Sequence, residues 1–226
     1  RLGVDGDGLP TGWSVYGIGV GEGQNILIAD NLISGTLFDA IWIGSPFSRS
    51  IPQNASISRN SLFDNGFGNE VFGEPLNLGI NLGRDDGVTA NDAKDVDEGP
   101  NGLQNFPELT WAKDKQGQLR VHGHLNSETG KSYRIEFFAN DVVNPTGHGE
   151  GARYLGSIDV STNHGGNAEF DTTDSLGTEI GSEKVDLGDF ITATATELCT
   201  PIPSDGECLF GTGATSEFSL AVEVTQ

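Results

Sequence analysis

Asn25-Ile26-Leu27-Ile28-Ala29-Asp30-Asn31-Leu32-Ile33-Ser34 and Asn54-Ala55-Ser56-Ile57-Ser58-Arg59-Asn60-Ser61-Leu62-Phe63 are two versions of one pattern set 29 residues apart. Short apolar runs recurring at such a period and broken by Gly, Asn, Ser and Pro predict a solenoid of parallel β coils. Strand periodicity turns Ile26, Ile28 and, past a bend, Ile33 inward, as it does Ile57 and Leu62 in the next coil. Asn31 and Asn60 fall at equivalent bends, where stacked amides can form a hydrogen-bonded ladder from coil to coil. They serve equally as turn formers that tolerate left-handed backbone. At the same offset Ala40-Ile41-Trp42-Ile43-Gly44 falls on Asn69-Glu70-Val71-Phe72-Gly73, and a less regular earlier copy runs through residues 16–21. Trp42 alternates with Ile41 and Ile43 and is expected to point away from their side.

Composition limits what this scaffold does. Among 226 residues, 33 acids face 12 bases, for a net charge of -21. Such a surface repels phosphate backbones, which excludes nucleic acid as a partner. No apolar run approaches the length of a membrane-spanning helix, so the chain is not expected to insert into a bilayer. Three Trp and 12 Phe in short patterned runs argue for a folded β protein rather than a disordered acidic chain. The chain has no Met and starts at Arg1, which predicts a piece of a longer precursor. Cys199 and Cys208 flank a segment with Pro201, Pro203 and Gly206, a turning loop that suits a disulfide and hence a compartment outside the cytosol.

From about residue 107 the pattern changes. Leu119-Arg120-Val121-His122-Gly123-His124-Leu125 and Tyr133-Arg134-Ile135-Glu136-Phe137 alternate apolar with polar, the period of half-buried strands. Further runs over residues 107–112, 153–160, 168–170, 190–196 and 216–224 bring the total to about seven strands, as in an antiparallel sandwich.

The asparagine-marked coils, the segment from Leu78-Gly79-Ile80-Asn81-Leu82-Gly83 to Ala93, and Gly99-Pro100-Asn101-Gly102-Leu103-Gln104-Asn105-Phe106-Pro107 resemble bacterial secreted right-handed parallel β-helix repeat proteins. Those proteins often continue with an immunoglobulin-like module, whose strand motifs resemble Tyr133-Arg134-Ile135-Glu136-Phe137-Phe138, Tyr154-Leu155-Gly156 and Thr215-Ser216-Glu217-Phe218-Ser219. The likeness implies an all-β chain in two parts: terminal coils of a right-handed parallel β-helix over residues 1–98, then an immunoglobulin-like antiparallel β-sandwich over 99–226. It also implies a cell-surface or extracellular setting, and it points to no single reaction. The expected role is structural or adhesive: a stalk, filament subunit or surface module that self-assembles or binds a glycan or cell-surface partner, with the sandwich covering the open end of the coils.

The sharpest local chemistry is the acidic stretch over residues 85–98. Close-spaced oxygen donors around a Gly suit Ca²⁺, with Asp86, Asp92, Asp95 and Asp97 as first ligands and Asn91 as a neutral one. A bound ion would stiffen the junction between the two parts; a solvated acidic linker reads the same way in sequence. His122 and His124 share one face of a strand, which can begin a metal site and is more commonly a polar surface. The rival reading is a fragment of a calcium-dependent polysaccharide lyase or hydrolase with its active site on the β-helix. Its carboxylates would come from Asp30, Asp39 or Asp64, with Asp39 and Asp64 expected as solvated turn residues.

Overall fold

The computed structural model describes residues 15–44, 51–66, 77–83, 87–172, 185–199, 208 and 210–226. The first part of the chain is built of short strands: β1 (Ile18–Val20), β2 (Gln24–Ala29), β3 (Leu32–Ser34), β4 (Ile41–Ile43), β5 (Gln53–Ser58), β6 (Ser61–Phe63) and β7 (Ile80–Leu82). All pair in parallel: β2 with β5, β3 with β6, and β1, β4 and β7 as a three-stranded sheet. The strands are short because the path bends at equivalent places in successive passes. Asn25 and Asn54 take φ 56° and 55°, and Asp30 and Arg59 take φ 58° and 51°, all in the left-handed region.

Two of the three sheets keep the 29-residue offset, with Ile28 beside Ile57 and Ile33 beside Leu62. The third departs from expectation. Ile41 pairs with Ile18, 23 residues earlier, and with Ile80, 39 residues later. The match of residues 40–44 to 69–73 is therefore not a rung, and 69–73 lie outside the described residues. Burial explains the register, because Ile41, Ile43, Ile80 and Leu82 are nearly inaccessible while the connections between strands take up the unequal chain length. Trp42, between Ile41 and Ile43, is half-buried and donates its indole N–H to the Gly83 carbonyl at 2.8 Å.

A 3-10 turn at Pro100–Leu103 leads to the second part: β8 (Glu108–Lys115), β9 (Gln118–Asn126), β10 (Ser132–Asn140), β11 (Arg153–Ser161), β12 (Asn167–Asp171), β13 (Phe190–Leu198), β14 (Thr212–Thr215) and β15 (Val222–Thr225). These form one eight-stranded sheet in the order β11-β10-β13-β15-β8-β9-β12, with β14 on β13. Within it β15 and β8 run parallel and the other pairs antiparallel. Its ends, β11 and β12, come near each other, so the sheet curls toward a barrel around Val121, Leu125, Tyr133, Ile135, Phe137 and Ile191.

Alternation in β10 and β13 has a different meaning from the one expected. Tyr133, Ile135, Phe137, Ile191, Ala193 and Ala195 face the sheet's own core. The intervening Glu136, Phe138, Thr192, Thr194 and Thr196 are buried as well. Phe138 belongs to the coil core, alongside Ile57, Leu62, Ile80 and Phe218. Both faces of these central strands are covered, one of them by the coils.

Candidate functional site: the sealed coil edge and the acidic junction

Strands β5, β6 and β7 each spend one edge on the preceding pass, which leaves a row of backbone N–H and C=O groups facing outward. Unpaired, such an edge costs desolvation energy where buried and templates association where exposed. Here it is met by side chains of the second part. Phe138 and Phe218, edge to face at 5.4 Å, close the apolar interior. The fit around Phe218 needs glycine: a Cβ on Gly151 would stand 2.6 Å from the ring.

Around this plug stand three buried glutamates. Glu136 accepts the N–H of Arg59 at 2.9 Å and the Ser58 hydroxyl at 2.6 Å. Glu150 accepts the N–H of Asn65 at 3.0 Å and that residue's side-chain amide at 2.5 Å. Glu217 accepts the N–H of Leu82 at 2.8 Å and that of Thr89 at 2.9 Å. Along β5, Asn101 accepts the N–H of Ala55 and donates to the carbonyls of Ala55 and Thr215, while Thr215 Oγ1 accepts the N–H of Ile57. One backbone bridge, Leu62 to Gly151, completes the contact.

Burial dominates the electrostatics. It raises the Glu217 carboxyl to about 8, against donation from Leu82 and Thr89, with nearby Asp39 pushing the same way. It raises Glu150 to about 7, against the two Asn65 donors and with Asp64 adding to the shift. Glu136 is raised too, although Ser58, the Arg59 N–H and the Arg59 and Arg134 guanidiniums pull it back. The Thr89 hydroxyl, as donor, lies 3.3 Å from Glu217 Oε1 and 3.1 Å from the Leu82 carbonyl. These carboxyls act as paired backbone partners, and their oxygens are already engaged.

The acidic junction lies beside the seal. Carboxylate oxygens of Asp92, Asp95 and Asp97 come within 4.8 Å of one another. Asp95 accepts the Asn105 N–H at 3.0 Å and the Ser127 hydroxyl at 2.6 Å; burial chiefly, then Asp97 and Asp92, raise it to about 7. Asp92 accepts the N–H of Val96, and Asp97 Oδ1 is enclosed without a hydrogen-bond partner. Asn91 spends both ends of its amide on the backbone of Phe106. Asp86 lies outside the described residues. Three hard oxygen donors converge here, a partial set for a cation that takes six to eight.

The other singled-out residues fall as follows. Asn31 Nδ2 donates to Asn60 Oδ1 at 3.0 Å, and Asn60 Nδ2 to the Ile28 carbonyl. A second rung of the same kind, Thr36 to Asn65, escaped notice because Thr stands in for Asn in one coil. Cys199 and Cys208 form a disulfide that ties the end of β13 to the approach to β14. Asp39 is not a solvated turn residue: it is 4% exposed and accepts the N–H of Leu78 at 2.7 Å, holding the entry to β7. Asp30 forms an exposed ion pair with Arg59 across the coils, and Asp64 is exposed. Glu136, Glu150, Glu217 and Asn101 were missed from sequence; the available signal, at Glu136 alone, was a carboxylate between Ile135 and Phe137 in a strand. A scan against protein-family models finds none that matches the chain.

Proposed function

We propose that the chain is an architectural module of a secreted or cell-surface protein: terminal coils of a right-handed parallel β-helix closed by an immunoglobulin-like sandwich, non-catalytic, serving a stalk, filament or adhesive surface. The carrying observation is the seal, in which Glu136, Glu150 and Glu217 take the edge N–H groups of Arg59, Asn65 and Leu82. Side chains that consume an edge so completely have one evident benefit, the prevention of uncontrolled strand addition. On this reading a Ca²⁺ held by Asp92, Asp95 and Asp97 stiffens the junction, and the acidic outer faces meet a glycan, a cell-surface partner or other copies.

The polysaccharide lyase or hydrolase reading is less well supported, since the buried Glu150 and Glu217 are committed to the N–H and side-chain amide of Asn65 and to the N–H groups of Leu82 and Thr89. The test is the double variant Glu136→Ala/Glu217→Ala, examined by analytical ultracentrifugation and thioflavin fluorescence. We expect lower stability and concentration-dependent assembly. A variant as stable as the parent and no more associated than it refutes the seal, and calcium-dependent depolymerisation of a polysaccharide by the parent chain refutes the non-catalytic role.

A further inference from the structure

On the outer face of β8, β9 and β12 four side chains of metal-ligating type stand near one another, Glu108 also lying 3.5 Å from the Asn91 amide of the junction. His122 and His124 are two residues apart on β9, so they share a face about 6–7 Å apart along the strand. Glu108 of β8 and Glu169 of β12 are the register partners of His124 from its two sides. Glu169 Oε1 lies 3.3 Å from His122 Nε2, and Glu108 Oε2 lies 3.6 Å from His124 Nε2. Both imidazoles thus direct Nε2 toward a carboxylate. The ring of His122 is further set by stacking on Trp111 at 5.4 Å and 13°, and Lys113 Nζ covers Trp111 at 5.2 Å.

We propose that His122, His124, Glu108 and Glu169 form a surface site for a divalent transition metal of the Zn²⁺ and Cu²⁺ class. Imidazole with carboxylate is a donor set these ions prefer and Ca²⁺ does not, which separates this site from the all-oxygen junction. Two histidines with a glutamate are also a familiar zinc set, one that leaves a position open for water or a ligand from elsewhere. The four residues stand as two His–Glu contacts at 3.3 and 3.6 Å, and gathering them on one ion requires rotation mainly of Glu108 and Glu169, whose side chains are 55% and 79% exposed. The backbone positions are held by pairing on both sides of β9, and the net charge of -21 concentrates cations at the surface.

Trp111 supplies the readout. Titrating the intact chain with Cu²⁺ should quench its fluorescence saturably, with competition by Zn²⁺ and none by Ca²⁺. His124→Ala, which leaves the Trp111–His122 stack in place, should weaken binding by more than about tenfold, as should His122→Ala. Glu108→Gln/Glu169→Gln should also weaken it while leaving metal-free fluorescence unchanged. All of these are surface positions, and circular dichroism checks that the variants fold. Quenching that stays linear in Cu²⁺, or affinity unaffected by His124→Ala, overturns the site; affinity unaffected by the double glutamine variant overturns the four-residue assignment.

Discussion

The carboxylate of Glu217 accepts the backbone N–H of Leu82 at 2.8 Å across 135 residues of sequence, and its second oxygen takes the N–H of Thr89. Removing it leaves two enclosed donors without partners, each costing about 1–3 kcal/mol. Glu217→Ala should therefore destabilise the chain by roughly 2–5 kcal/mol in urea unfolding. Glu223→Ala, an exposed position on β15, should stay within about 0.5 kcal/mol of the parent. Equal effects would show that the seal contributes nothing.

The pH dependence follows from the same groups. Glu217 and Glu150 are raised by burial from 4.5 to about 8 and about 7, and Glu136 is raised as well. The folded state therefore holds protons that the unfolded chain has lost, so stability is fullest below pH 4.5 as far as these groups are concerned and declines as pH rises through 7 and 8. Calorimetry from pH 5 to 9 should show the melting temperature falling from pH 5 to about 8 and levelling off above that. Glu217→Gln, though destabilised because its amide group meets an N–H, should show a shallower decline; a parallel curve contradicts the assignment.

Calcium gives a separate test at the junction. Millimolar Ca²⁺ should raise the melting temperature and a chelator should reverse the gain. Asp97→Asn removes a charge whose enclosed oxygen has no hydrogen-bond partner, and it should abolish most of the calcium response at little cost to the calcium-free protein. A melting temperature indifferent to chelator removes calcium from the account.

The disulfide between Cys199 and Cys208 spans a sequence separation of 9. Loop-closure entropy for so short a span corresponds to about 2.5 kcal/mol. Native protein should show no thiol reactive to a titrant, and Cys199→Ser/Cys208→Ser should lose about 2–3 kcal/mol in denaturant unfolding. Two reactive thiols without reductant would contradict the bond.

Much of the coil architecture is legible in residues that repeat. Isoleucines at matching positions mark the inward face, and asparagines at matching bends mark the lateral hydrogen bonds, because both follow from stacking one pass on the next. The pairing of Ile41 with Ile80 was not legible, since nothing local states how many residues a connection absorbs. The seal was hidden for a different reason. In β13 the alternation of Thr192, Thr194 and Thr196 with Ala193 and Ala195 reads as a polar face, yet all three threonines are buried, Thr192 donating to the Glu150 carbonyl and Thr196 paired with Thr215. Periodicity tells which residues share a face and is silent on what covers it; Glu136 was misjudged on the same ground.

The seal also gives the repeat array a polarity. Its side chains recognise the individual backbone groups of β5, β6 and β7, whereas contacts between passes rely on similar residues at similar places. A change of chain length within β5, β6 or β7 would move N–H groups away from their named recipients Glu136, Glu150 and Glu217, whereas β2 and β3 meet β5 and β6 as like on like.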